Sequence, residues 1–368
     1  MKIGLVRRGY SATGGAEAYL LRLIGALARA GHEVVLFADR TWPEDPLLQP
    51  GVEFGQVTWE VSGAKKFADT FQQLAPEQGC DFILSLERIW KCDAYRSGDG
   101  VHADWLERRA EFEPRWRSIF RGFNPKHRQI LALERALFTG GARRVIANSN
   151  MVREAIVRRF GFPRECIDVI HNGVPAILPP PEARAVMRSE LGLGNGEFTV
   201  LFAGSGWERK GLRFAIEAMN AARLSRGTLL VAGRGEHGSL PRSSVVRFLG
   251  PVREMARVFA TADVFILPTI YDPFSNACLE ALAAGLPVIT TRHNGFGEII
   301  EHGVEGEVIE DPREIGALAR ALEKWSDAER RAAVRARLVE KGARFSIEEN
   351  VRATLAIVEK ARESAAST

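Results

Sequence analysis

The chain has 368 residues, 26% of them charged and 46% hydrophobic, with a formal net charge of +4 and a pI near 9.0. That length exceeds what one hydrophobic core commonly supports, so two domains with a cleft between them are expected, and the composition excludes a disordered or membrane-spanning chain. The positive excess is too small to mark a nucleic-acid partner. Cys80, Cys92, Cys166 and Cys278 form no C-x-x-C pair and no zinc-like spacing with histidine, which points to reduced thiols rather than disulfides or a metal site.

The opening MKIGLVRRGY has too few apolar residues before Arg7 and Arg8 for a secretory core or a membrane span, so it reads as the first strand of a cytosolic protein. GGAEAYLLRLIGALARAG then carries helical periodicity closed by Gly31, and HEVVLFAD is a second apolar run, giving a parallel βαβ unit. DFILSL (81–86), a long helical stretch over about 103–140, RRVIANS (143–149), a helix to Phe160 and ECIDVIHNG continue the alternation. A Pro/Gly-rich break at 173–196 follows. Beyond it come TVLFAG, a helix over 211–223, TLLVAG, VVRFLG, a helix over 253–262, DVFILP, a helix within YDPFSNACLEALAAGLPVIT (271–290), PVITT and GEVIE. The last stretch is helical. The pattern predicts an α/β fold of two doubly wound, Rossmann-like domains: 1–172, then 173–345, with a helix at 346–368 packing back toward the first.

Ligands of open α/β sheets bind beyond the carboxyl ends of the strands, where helix N-termini hold phosphates. Four loops there carry unusual residues. In RRGYSATGGAE, Gly14 and Gly15 permit close backbone approach, and Glu17 either faces a ligand or favours the helix dipole. GSGWERKG (204–211) resembles a P-loop but has Gly211 where the magnesium-binding Ser or Thr would stand, leaving Arg209 and Lys210 for two phosphates or for solvent. AGRGEHG contains G-x-G-x-x-G but runs into SLPRSS, so no helix begins to hold a pyrophosphate, and a turn lining the cleft is expected. In YDPFSNACLEAL, Pro273 fixes the approach, Ser275 or Asn276 caps a helix, and the amides at 274–276 form an anion seat; Asp272 and Glu280 either grasp a sugar-like ligand or belong to a plain capped helix.

With Gly14-Gly15, Arg209-Lys210-Gly211 and Asp272-x7-Glu280 in this order, the chain resembles the retaining family-four glycosyltransferases of the GT-B fold over nearly its whole length. DPFSNACLEALAAGLPVI is the most specific part. Within the family it is most similar to lipopolysaccharide-core glucosyltransferases, through its length, GSGWERKG and SGDGVHADWLERR. The resemblance implies that Arg209 and Lys210 hold the donor diphosphate, Glu280 the ribose hydroxyls and Asp272 hydroxyls of the transferred sugar. It implies that amides of Phe274, Ser275 and Asn276 complete the phosphate seat, that Gly15 lies beneath the diphosphate, and that Arg234 and Val252 lie near the base.

Four departures stand out. Asp272 replaces the usual Glu, Ser275 stands where Gly is common, Ser205 replaces a common phosphate-binding Arg, and Tyr19 stands where the lipopolysaccharide enzymes carry an Asp. Asp99, His102 and Glu17 are then the acceptor-side catalytic candidates beside Lys210 and Asp272, a histidine near neutrality suiting proton handling, although a loop Asp and a helix-capping His are the ordinary alternative.

The resemblance implies hexosyl transfer, of glucose, from a UDP-sugar to a lipopolysaccharide core or other glycolipid or glycan acceptor, with no cofactor and no metal expected. Residues 102–128 carry seven Arg/Lys against four Asp/Glu, interleaved with Trp105, Phe112, Trp116, Phe120 and Phe123. They suit the anionic cytoplasmic face of an inner membrane, or else an ordinary helix with its aromatics packed inward. A non-catalytic, membrane-associated nucleotide-sugar-binding assembly protein is the alternative function. A nicotinamide oxidoreductase lacks a usable fingerprint, and a glycan phosphorylase lacks a lysine in a pyridoxal-phosphate setting.

Overall fold

The computed structural model describes residues 1–10, 15–43, 54–114, 124–177, 179–180, 182–194, 196–238 and 240–366. They form two compact units, one of Met1–His171 with Ile347–Thr368 and one of Asn172–Ser346.

The first unit is built on a seven-stranded sheet: β1 (Lys2–Val6), β2 (Glu33–Asp39), β3 (Gly55–Trp59), β4 (Phe82–Ser85), β5 (Cys92–Ser97), β6 (Ala142–Ala147) and β7 (Ile167–Val169). They are ordered β3-β2-β1-β4-β5-β6-β7, and every pairing is parallel. Strands of such a sheet are covered on both faces, which is why the central ones read as apolar runs. Around them lie α1 (Gly15–Arg29), α2 (Ala64–Leu74), α3 (His102–Ala110), α4 (Pro125–Ala136) and α5 (Asn150–Phe160).

The second unit has a six-stranded parallel sheet of β8 (Phe198–Ala203), β9 (Gly227–Ala232), β10 (Val246–Gly250), β11 (Val264–Leu267), β12 (Val288–Thr291) and β13 (Gly306–Ile309), ordered β10-β9-β8-β11-β12-β13. Its helices are α6 (Ala183–Glu190), the single turn α7 (Trp207–Lys210), α8 (Leu212–Ala221), α9 (Met255–Thr261), α10 (Asn276–Ala283), α11 (Ile315–Trp325) and α12 (Ala328–Ala343). The last helix, α13 (Ile347–Ala366), belongs to the first unit, where Ile347, Val351 and Val358 join Leu20, Leu23 and Leu27 of α1 in one core.

Two sequence expectations need correction. The helix expected over 103–140 is not continuous: α3 ends at Ala110, and Asn124 caps a new helix by accepting the Lys126 N–H (3.0 Å), with Pro125 at its first position. The break expected over 173–196 contains α6. The reading also lacked β3, an edge strand whose exposed Gly55 and Thr58 interrupt its apolar pattern, and β5, whose Asp93 and Arg96 mask a strand.

Candidate functional site

The strand order of the second unit reverses at β8 and β11, so the loops after these strands flank the topological switch point. They are tied together by backbone. The Arg209 carbonyl accepts from the Thr269 hydroxyl (2.8 Å) and the Ile270 N–H (2.9 Å), while Gly211, at φ +77°, passes so close to Pro268 that a Cβ there would collide with the Pro268 carbonyl.

This lock sets two cations beside one carboxylate. Lys210 Nζ is ion-paired with Asp272 Oδ2, and the Arg209 guanidinium lies 3.8 Å from the same oxygen while donating to the Tyr271 carbonyl (3.1 Å). Asp272 is buried, and Arg209 is the more exposed of the two cations. Lys210 and Asp272, read from sequence as separate grips on diphosphate and sugar, therefore hold each other.

The carboxylate leads into α10. Ser275 is its N-cap, its hydroxyl accepting from the Cys278 N–H (3.4 Å). The Ser275 N–H itself donates to Asn294 Oδ1 (3.2 Å), which also accepts from Phe296 N–H (3.1 Å). The anion seat assigned to the 274–276 amides thus needs correction: the Ser275 amide is satisfied internally, and the donors left at this helix start are the Asn276 and Ala277 N–H groups, which precede the first intrahelical bonds. Phe274 is buried, and its carbonyl faces the Asn172 amide, which also donates to Asn276 Oδ1 (2.8 Å).

One turn inside α10, Glu280 has its pKa pushed up to about 7 by burial, opposed by the nearby Lys210 charge. It lines a cavity of about 500 Å³ with Pro175, Ile177, Arg253, Met255 and Arg257. Val252 immediately precedes that lining and is half-buried. Ser205 and Arg234 are exposed, in the loops after β8 and β9, and the Arg234 carbonyl accepts from Gly206 N–H (3.3 Å). No helix starts at 233–238; Gly235 instead lies flat under Trp207.

In the first unit, Gly14 lies outside the described residues, Gly15 opens α1, and Glu17 sits in its first turn. The Tyr19 hydroxyl meets Thr354 Oγ1 (3.0 Å) under the Arg96 guanidinium, 4.6 Å from the ring centroid. Asp99 is exposed and 3.7 Å from Arg88. His102 Nε2 lies 3.0 Å from His127 Nδ1, and its pKa is pushed down to about 4 by burial, with the Arg88 charge and His127 adding. A histidine titrating near neutrality was expected; its surroundings instead favour the uncharged imidazole. Its own N–H and that of Ala103 are capped by Glu134, a buried carboxylate of α4 paired with Arg88 at 3.4 Å, so His102 heads the helix without capping it.

Among the described residues, no group of three or more His, Cys, Asp or Glu is placed to hold a metal ion, and no helix is long and apolar enough to cross a membrane.

Residues 13–176 match the family model described as Glycosyltransferase Family 4, and residues 197–327 match Glycosyl transferases group 1. D-inositol 3-phosphate glycosyltransferases are similar along most of their length. That of Pseudarthrobacter chlorophenolicus is 27% identical over 82% of this chain and 80% of its own, and that of Mycolicibacterium smegmatis is 27% identical over 97% and 88%. The fold matches WaaG, a glycosyltransferase involved in lipopolysaccharide biosynthesis, with a TM-score of 0.80 at 21% identity over 96% of this chain and 99% of that one. It also matches Anabaena HepE in complex with UDP-glucose, at 0.74 and 19% over 98% and 100%.

The chain belongs to the family-four glycosyltransferases of the GT-B fold.

Of the basic-aromatic stretch 102–128 of this glycosyltransferase, residues 115–123, with Trp116, Phe120 and Phe123, lie outside the described residues. In the described part the charges are largely paired: Arg108 with Glu111, Arg109 with Glu113 (2.5 Å), and Asp104 with Arg158 (2.7 Å) and Arg159 (2.6 Å). Sequence reasoning missed Asn294, Thr269, Arg88, His127 and Glu134. Asn294 was findable, since RHNGFGE follows a strand as the other site loops do. Glu134 and Arg88 carried no signal, because each acts on residues far along the chain.

Proposed function

We propose that this glycosyltransferase is a retaining, metal-independent hexosyltransferase that moves glucose from UDP-glucose to a lipid-linked glycan of the lipopolysaccharide-core kind. The observation that carries the donor half is the convergence of Arg209, Lys210, Asp272 and the α10 amides at the switch point, beside a cavity bearing Glu280. A diphosphate bridging those cations and amides would draw Lys210 from Asp272, freeing the carboxylate to accept bonds from sugar hydroxyls. As the bond from the anomeric carbon to the diphosphate oxygen breaks, the acceptor hydroxyl oxygen bonds to that carbon on the same face and its proton passes to the departing oxygen, while the cations stabilise the charge developing on the diphosphate. Support for the uridine comes from the HepE complex, whose ligand is UDP-glucose. Support for a lipopolysaccharide-type acceptor comes from WaaG, a glycosyltransferase involved in lipopolysaccharide biosynthesis, and support for the membrane face comes from the aromatic-basic sequence at 102–128.

A phosphorylated polyol is a second acceptor reading, favoured by the D-inositol 3-phosphate glycosyltransferases. Transfer assays with UDP-, GDP- and ADP-hexoses in the presence of EDTA, against a lipopolysaccharide core and inositol 3-phosphate, separate the readings. The proposal expects turnover with UDP-glucose on the lipid acceptor and an α-linked product. Donor binding without transfer to either acceptor points instead to the assembly-protein role, and preference for another nucleotide overturns the donor assignment.

A further inference from the structure

At the amino ends of the second sheet's strands, where β11 and β12 begin, a cavity of about 530 Å³ is lined by Arg184, Arg331 and Arg335 with Asp263, Pro180 and Ala328 among its walls. Asp263 is buried and fixed by the Thr199 N–H (2.8 Å), so it stands as an anchored floor. Around it Arg184 donates at 2.7 Å, Arg331 approaches to 3.6 Å and Arg188 to 3.9 Å. Arg184 is held further by the carbonyls of Ala260, Thr261 and Ala262, and Arg331 by the Trp325 carbonyl. These guanidiniums are therefore set in place before any ligand arrives.

One carboxylate does not neutralise them. Asp327 is a second acid whose charge acts on Arg331, and its Oδ1 is engaged in capping α12 through the Glu329 (2.9 Å) and Arg330 (3.3 Å) N–H groups. Burial, with the Arg184 and Arg188 charges, holds Arg331 below the ordinary arginine value against the pull of Asp263, as expected where cations crowd. Arg335 has no carboxylate partner among the described residues, and its stem packs over Gly285, whose lack of a side chain leaves it room.

We propose that this cavity binds a phosphomonoester dianion, held by the forks of Arg331 and Arg335 with Arg184 behind them, at a site separate from the donor site. Guanidinium geometry matches phosphate oxygens in pairs, and the dianion offsets the charge Asp263 leaves over. A free phosphometabolite and a phosphatidate headgroup share this chemistry.

The test is calorimetric titration of inorganic phosphate into the full chain and into Arg335→Gln, Arg335→Lys and Lys210→Ala, with co-sedimentation on phosphatidic-acid and phosphatidylcholine vesicles. Arg335→Gln should weaken phosphate binding about tenfold or more, the loss of charge-assisted hydrogen bonds, while Arg335→Lys recovers part of it and Lys210→Ala leaves this binding in place. Binding to phosphatidic-acid vesicles that Arg335→Gln removes would assign the headgroup source; phosphate binding without vesicle binding assigns the free one. Absence of phosphate binding, binding indifferent to Arg335→Gln, or binding lost only with Lys210→Ala overturns the site.

Discussion

At the scale of single residues, the proposed donor site centres on the Lys210–Asp272 ion pair. On the proposed role, Lys210→Ala removes a preorganised donor to the leaving diphosphate and should cost roughly 2.7 to 4 kcal/mol of transition-state stabilisation, read as a fall in kcat; near-normal turnover would remove Lys210 from the chemistry. Glu280 gives a pH signature with a definite sign. Its carboxyl, at about 7 in the folded chain against an ordinary 4.5, binds a proton more tightly folded than unfolded, so its stabilising contribution is present below about 4.5 and is lost as pH rises through 7. Glu280→Gln should therefore be more stable than the parent at pH 8, by roughly 3 kcal/mol at most, with the gap shrinking toward pH 5. Thermal melts of both proteins across that range check it, and a gap that widens on acidification contradicts the buried carboxyl. Such a residue sacrifices stability, which is consistent with a ligand-binding task.

At the scale of elements, helix starts are organised by side chains from elsewhere. Asn294, in the loop after β12, holds the N–H groups of Ser275 and Phe296, and Glu134 of α4 holds the start of α3. Asn294→Ala leaves two buried amides without their acceptor, about 1 to 3 kcal/mol for each, and loosens the start of α10. Denaturant titration should show that loss together with weaker UDP binding; a stable variant with unchanged affinity would free α10 from Asn294. These cross-element caps mark where the sequence was legible and where it was not. Ser275 was readable as a cap because it precedes an apolar helix. The partner of its N–H was not, because Asn294 meets it only after β12 has been laid beside β11. The central strands declared themselves by continuous apolar runs. Edge strand β3 and polar β5 did not, and Pro125 broke a helix whose periodicity continued past it. Lys210 and Asp272 stood out as candidate site residues, yet their pairing follows from the Arg209 carbonyl lock rather than from spacing.

At the scale of the whole molecule, the first unit is completed by the last segment of the chain. Ile347, Val351 and Val358 are buried with α1, the Tyr19 hydroxyl meets Thr354, and the Asn350 amide donates to the His171 carbonyl. Burying three such aliphatic side chains contributes roughly 5 kcal/mol or more, comparable to the whole stability of a domain. A chain ending at Ser346 should therefore lose the cooperative folding of its first unit while the second, Asn172–Ser346, keeps its own core and the residues of the proposed donor site. Scanning calorimetry with and without UDP tests this directly, because a ligand that binds one folded unit raises that unit's transition alone. The full chain should show a UDP-sensitive and a UDP-insensitive component, and the truncated chain only the sensitive one. Two unchanged transitions after truncation would mean that α13 does not complete the first core, whereas loss of both would mean that the units unfold as one.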